Sequence, residues 1–361
     1  MYSFEPSDEQ KMLVEAVSRY ATSDLRKAAH DAEEAKELPP KLISKGWELG
    51  VLQASIPEAY GGFGERSAVT GVLAAEEMAY GDLAGALAVG SPNLFALPIL
   101  LAGSDEQKKK FLPAVIEADW KPYTAALIEP TFDFDPNDLK TTATLEGSEY
   151  VLSGEKTLVP FADKAEAMIV YARLKKATRA FIVLKGAPGL KISADREKLM
   201  GLNALPFFKV SLDGVKIAKA DLLPGELEPV LDASRVAVAA MAVGVAKAAL
   251  AYSRDYAKDR DVFGVKVAQK QAIAFMLAEM ATEIEAIRLL VWEAAWAIDN
   301  KKDDAGQRAY LAITGASDLA MMVTDRAVQI LGGHGYIREH PVELWMRNGR
   351  GFATFTGLAM V

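Results

Sequence analysis

Between Tyr123 and Pro224 the chain is a succession of short β-type runs, whereas the sequence on either side carries helical spacing. The runs are TTATLE, YVLSGEKTLV, AMIVYARL, RAFIVLKG and FKVSLDGVKIA, with Gly147, Gly154, Gly186 and Gly214 at the turns. Regularly spaced strands without intervening helices predict a small β-barrel or sandwich. The expected class is therefore α+β: an N-terminal helical domain over 1–121, a middle small β-barrel domain over 122–225 and a C-terminal helical bundle over 226–361.

The N-terminal helices announce their own starts. Ser7 with Gln10 forms a capping-box pattern, and Met12, Val14, Ala16, Val17 and Tyr20 then recur on one helical face. A helix from about Lys41 should stop at Gly50, before the glycine-rich loop IPEAYGGFG at 56–64. Helical patterns follow at 67–80 and 92–102, and Ser104 with Gln107 repeats the capping box for a helix predicted to end before Pro113. After the β unit, the stretches 229–257, 267–299 and 304–331 carry apolar residues on more than one face. Helices of that kind are buried in a bundle or at a subunit contact.

Composition narrows the function classes. With 51% hydrophobic and 25% charged residues over 361 positions, a large core is available and disorder is excluded. The net charge of −8 carries no basic tail to offset it, so nucleic acid is not an expected partner, although a local basic pair can still hold a small phosphorylated ligand. No cysteine is present, which removes disulfides, thiolate metal sites and a thiol nucleophile. His30, His334 and His340 are too scattered for zinc, so no metal site is expected. The first ten residues lack a signal-peptide pattern, and the apolar run from Val236 to Ala246 is short of the ~20 residues of a membrane span. A cytoplasmic protein without a membrane span is the expectation.

One C-terminal stretch, AVQILGGHGYIREHPVELWMRNGRGFATFTG at 327–357, runs a helix into the glycine turn Gly332, Gly333, Gly335, restarts near Pro341 and carries Arg347 and Arg350. Such a turn lets a helix end against a ligand or a second subunit. Taken with IPEAYGGFG, GSDEQKKKFLP at 103–113 and RDVFGVKVAQKQ at 260–271, and with the helix–β–helix order, it makes the whole chain resemble the acyl-CoA dehydrogenase family.

That resemblance implies FAD as cofactor and an acyl-CoA thioester as substrate. A carboxylate removes the α-proton, hydride passes from the β-carbon to the flavin, and tetramers are usual, one subunit helping to bind its neighbour's FAD. It places Arg260 at the FAD pyrophosphate across a subunit contact, with Phe263 and Gln271 continuing the motif, and Gln329, Gly332 and Gly333 on the adenosine side. It places Asp232, Ser234 and Arg235 at a helix start near the acyl-CoA. From the residues alone, Arg260 is equally a surface ion-pair partner of Asp259 or Asp261, and Gln329 a helix-end cap.

The chain departs from the family where the flavin ring and the base belong. A segment like TEPGAGSD is here Ile128-Glu129-Pro130-Thr131-Phe132-Asp133-Phe134-Asp135, with Phe132 and Phe134 expected to fill the space of small residues. The usual Trp-Ile-Thr is Leu158-Val159-Pro160, which removes an aromatic stack and a backbone N–H. The common base position falls in Phe355-Thr356-Gly357-Leu358 at Thr356, and the alternative one at Ser234; neither hydroxyl substitutes for a carboxylate. The acidic residues Glu339 and Glu343 nearby read as solvated helix charges. The chain ends at Val361, about where the family's last helix begins. The resemblance thus implies a base-less subunit that pairs with a catalytic acyl-CoA dehydrogenase chain and completes its FAD site. The alternatives are a homotetrameric dehydrogenase, a non-dehydrogenating acyl-CoA enzyme with an unrecognised base, or a structural protein that has lost FAD.

Overall fold

The computed structural model describes residues 5–352 and 356–361. Helix α1 (Asp8–Tyr20) begins on the predicted capping box: Gln10 N–H donates to Ser7 Oγ at 3.2 Å, and Ser7 N–H to Gln10 Oε1 at 2.9 Å. It continues through a wider turn at Ala21–Leu25 into α2 (Arg26–Ala35). Then come α3 (Pro40–Trp47), α4 (Val51–Ala54), α5 (Ala68–Gly81), α6 (Leu83–Val89), α7 (Asn93–Ala102) and α8 (Asp105–Val115). The second capping box, at Ser104 and Gln107, opens α8 as expected, but the helix runs through Pro113 rather than ending before it. Leu112 and Val115 on either side are fully buried, and their packing outweighs the hydrogen bond that proline omits. Helix α6 was not visible in the sequence because LAGALAV is buried on every face and so has no period.

The middle unit is one mixed seven-stranded sheet. Its strands are β1 (Thr124–Ala126), β2 (Thr142–Glu146), β3 (Glu149–Pro160), β4 (Ala167–Leu174), β5 (Ala177–Leu184), β6 (Leu190–Ile192) and β7 (Phe207–Ala218), in the order β1-β4-β2-β3-β7-β6 with β5 also on β4. Strand β4 pairs in parallel with β1 and β2, and among the described residues no ladder joins β6 to β5 to close a barrel. The five predicted runs fall on β2, β3, β4, β5 and β7. Strands β1 and β6 are three residues each, too short to show alternation.

A buried ion pair anchors the loop after β1. Lys156 on β3 places Nζ 2.9 Å from Glu129 Oε1 and donates to Leu127 O at 3.0 Å, while Glu129 accepts the N–H groups of Lys140 and Thr141. Burial pulls the Lys156 ammonium down to about 8, against the opposing charge of Glu129.

The C-terminal bundle consists of α9 (Glu228–Asp259), a hairpin of β8 (Asp261–Val262) and β9 (Val265–Lys266), α10 (Gln271–Asp299), α11 (Ala305–Leu331) and α12 (Val342–Gly349). Helix α9 is the central one. It is long and apolar enough to cross a membrane, yet 78% of its most apolar window is buried inside the protein, which makes it a core helix here. Gly244 lets α5 cross it closely, since a Cβ at that position would lie 2.2 Å from Glu76 O. At the same crossing the buried Glu76 carboxylate binds Lys247 of α9 and Arg288 of α10, so three helices share one charge cluster. Asp299, ending α10, in turn caps α5 by accepting from Ala68 N–H at 2.6 Å and Val69 N–H at 3.1 Å.

Candidate functional site

The two groups of candidate residues sit at opposite ends of α9. At its start, the Arg235 guanidinium is 2.8 Å from Asp232 Oδ1 and 2.6 Å from Glu228 Oε1. Burial lifts the Asp232 carboxyl and the Arg235 cation opposes that lift. Ser234, fully buried, accepts the Gly357 N–H at 2.7 Å. Thr356 and Ser234 are therefore brought together, although Phe355 lies outside the described residues. An open groove of about 610 Å³ passes this point, lined by Arg235, Thr356, Tyr310, Phe134, Asp135 and Asp318 among others. Asp135 and Asp318 are its carboxylates among the described residues, and both are exposed.

At the other end, Arg260 caps α9, its N–H bonded to Tyr256 O and its carbonyl accepting from Val267 N–H. A groove of about 540 Å³ gathers Arg260, Phe263, Lys270, Gly332, Gly333 and His334. Among the described residues neither Arg260 nor Lys270 has an ion-pair partner; Asp261, the alternative partner for Arg260, binds Lys266 at 2.7 Å instead. Phe263 stands almost fully exposed in the left-handed backbone region at φ 53°, its ring centroid 5.9 Å from Lys270 Nζ. Gly332 adopts φ 60°, and a Cβ added to it or to Gly333 would meet nothing within 4 Å, so both leave open space at the groove floor. Gln271 and Gln329 do not line this groove. Gln271 is the exposed first residue of α10, and Gln329 is exposed, holding Gly332 N–H with its main-chain carbonyl rather than capping the helix with its side chain. At the helical rise of ~1.5 Å per residue, Arg235 and Arg260 lie about 37 Å apart along α9.

A third region lies beside the first. Residues 358–361 run into the interior, where Val361 O accepts two hydrogen bonds from Arg66 and Met360 O one from Asn93. They line an apolar cavity with Trp47, Met78, Leu87 and Met241 and leave about 60 Å³ of it open. This burial of the segment had no signal in the sequence beyond its apolar composition.

Three family models cover nearly all of the chain: acyl-CoA dehydrogenase N-terminal domain at 7–119, middle domain at 124–215 and C-terminal domain at 227–359. The chain belongs to the acyl-CoA dehydrogenase family. It is 35% identical to the caffeyl-CoA reductase-Etf complex subunit CarC of Acetobacterium woodii and 34% to the 3-(aryl)acrylate reductase of Clostridium sporogenes, each alignment covering 98% of this chain and 96% of the relative. The solved structure of butyryl-CoA dehydrogenase from Megasphaera elsdenii superposes with a TM-score of 0.89 at 32% identity, covering 99% of this chain and 96% of that one.

Members of the acyl-CoA dehydrogenase family bind FAD, and this chain's donor set suits one part of that cofactor better than the other. Two cations without an ion-pair partner among the described residues, in one groove with Gly332 and Gly333, suit an anionic pyrophosphate. On the side where the family places the flavin ring, the donors are taken or missing: Leu158 N–H is bonded to Glu197 Oε2 at 2.7 Å, Pro160 has none, and Ile128 is buried without a hydroxyl. The expectation that two phenylalanines fill this space is corrected for Phe132, which is fully exposed; Phe134 alone turns inward, packing on the core at the edge of the Arg235 groove.

Proposed function

We propose that this chain is a subunit of an FAD-dependent acyl-CoA dehydrogenase that completes a partner subunit's cofactor site and lacks a catalytic carboxylate of its own. The observation that carries this reading is the separation of about 37 Å along α9 between Arg260, without an ion-pair partner among the described residues, and Arg235, beside which Ser234 accepts the Gly357 N–H. A single extended dinucleotide does not bridge that distance, so a groove holding the pyrophosphate at Arg260 serves a flavin ring on another subunit. Around Thr356 the hydroxyls stand where a carboxylate is needed, and Arg235 is committed to Asp232 and Glu228. Residues 358–361 occupy much of the adjoining apolar cavity, which favours a site closed to an acyl chain.

In this reading Arg260, Phe263, Gln271, Gln329, Gly332 and Gly333 serve the shared FAD. Asp232, Ser234 and Arg235 belong to a vestigial substrate end, and the three domains meet near 121/122 and 225/226. FAD, when bound, supplies the electron sink for the hydrogen removed from the acyl-CoA. Two relatives are named as a caffeyl-CoA reductase complex subunit and a 3-(aryl)acrylate reductase, so the direction of hydrogen transfer in this chain's complex is a property of the pair and its electron partner. A cytoplasmic hetero-oligomer with a catalytic acyl-CoA dehydrogenase subunit fits the reading. The test is native mass spectrometry of the chain alone and with the products of neighbouring genes. Substoichiometric FAD alone and stoichiometric FAD in the pair is the expected result; stoichiometric FAD with acyl-CoA oxidation by the chain alone overturns it.

A second reading, a self-sufficient homotetramer, draws on Asp135 and Asp318 at the groove beside Thr356. It requires that Asp135→Asn or Asp318→Asn abolish an activity that the chain shows by itself.

A further inference from the structure

Tyr252 and Tyr256 lie one turn apart on α9, and each holds a histidine. Tyr256 Oη is 2.9 Å from His334 Nδ1 and Tyr252 Oη is 2.8 Å from His340 Nδ1. The two imidazoles stack with centroids 5.1 Å apart and planes 12° from parallel. Trp345 of α12 packs edge-on against Tyr252, with centroids 5.9 Å apart. None of these groups has a part in the reading above, yet Tyr256 and His334 line the same groove as Arg260 and Lys270.

A phenol that donates to Nδ1 fixes the neutral imidazole as the Nε2–H tautomer, so the ring nitrogen that the tyrosine leaves free is a donor. We infer that His334 is a further ligand for the anionic group in this groove, donating from Nε2 beside Arg260 and Lys270, with Tyr256 setting its tautomer and His340 its ring plane. The ligand chemistry is a pyrophosphate diester. The inference rests on the proposed role of the groove.

The groups around the stacked rings come from several elements. They are Tyr252 and Tyr256 from α9, Glu339 from the connecting loop, and Arg26 of α2 through Trp345 of α12; Arg260 and Lys270 share the groove, while Arg338 is bound to Glu34. Burial, then the neighbouring His334 ring, holds His340 below its usual range.

The experiment is calorimetric titration of ADP-ribose into the full chain at neutral pH. His334→Phe should lose about tenfold in affinity, the loss of one charge-assisted hydrogen bond, and His334→Asn, whose amide N–H can donate, should recover part of that loss. Tyr256→Phe should fall between wild type and His334→Phe. Unfolding midpoints of both His334 variants close to wild type show that the losses are local. If His334→Phe binds like wild type while Arg260→Ala weakens, the inference is overturned and the groove reading stands. If Arg260→Ala changes nothing, or no variant including wild type binds, the groove reading falls and takes the inference with it.

Discussion

The two ends of α9 treat an arginine in opposite ways. Arg235 is buried and bound to two carboxylates of its own helix, whereas Arg260 is exposed and, among the described residues, has no ion-pair partner. A cation matched inside its own chain is a structural element, and its removal strands the partner's charge. A cation left unmatched beside an open groove adds nothing to folding and is available to an anion from outside. Arg235, expected near the substrate, is thus built as a fastener, whereas Arg260, expected at a cofactor, has no such partner among the described residues.

Arg235→Ala should produce the largest stability change. Asp232 remains buried with no cation, and a loss of about 3 kcal/mol is expected in a urea midpoint measurement. A loss below about 0.5 kcal/mol would erase the contrast, because it would make the start of α9 as uncommitted as its end.

Arg347 extends the comparison to α12. It binds Glu343 at 2.7 Å and Glu33 at 2.5 Å, so the basic segment seen in the sequence is a second fastener rather than a phosphate site. Burial would raise the Glu343 carboxyl, but its contacts with His30, 3.5 Å away, and with Arg347 prevail and hold it at about 2. A depressed carboxyl stabilises the fold fully above its unfolded value near 4.5, and that stability is lost as the pH falls from there towards 2. Discounted for solvent screening, the loss is about 2 kcal/mol. Glu343→Gln should flatten stability against pH in that acid window; an unchanged profile would show that Arg347 is not held by this pair.

Arg260→Ala should leave the urea midpoint within about 0.5 kcal/mol of wild type. The same change should weaken FAD binding in the assembled complex about tenfold, or about 1.4 kcal/mol, with flavin retention on a desalting column as the measurement. Undiminished flavin would turn Arg260 into an ordinary surface charge.

Much of the architecture was written in local patterns. The capping boxes at Ser7 and Ser104 and the short apolar run AMIVYARL each specify an element through neighbours a few residues away. What escaped was set by tertiary burial: α6 and β1 are buried throughout and have no period, and α8 passes Pro113 because Leu112 and Val115 pack beneath it. The groove at Arg260 was legible as Arg260, Phe263, Gly332 and Gly333, since motif order encodes it. Lys270 and His334 joined it only through the fold, and Gln271 and Gln329 did not reach it. The Gly357–Ser234 hydrogen bond crosses most of the C-terminal region, a distance no spacing argument covers.

That contact gives the smallest effect and the sharpest question about the start of α9. Ser234 Oγ is the acceptor for the buried Gly357 N–H, and Gly357 sits at φ 106°, where any other residue is strained. If the serine has replaced a carboxylate merely by loss, nothing should depend on its hydroxyl. If it now fastens residues 356–361 over the apolar cavity, Ser234→Ala leaves the Gly357 donor without a partner and should cost about 1 kcal/mol. The local readout is faster hydrogen exchange at the amides of 357–361, with exchange in α5 and α10 unchanged. Ser234→Thr, which keeps the hydroxyl, should restore slow exchange if its extra methyl is accommodated. Equal exchange in wild type and Ser234→Ala would mean that packing of Leu358 to Val361 alone holds the segment, and Ser234 would then be no clamp.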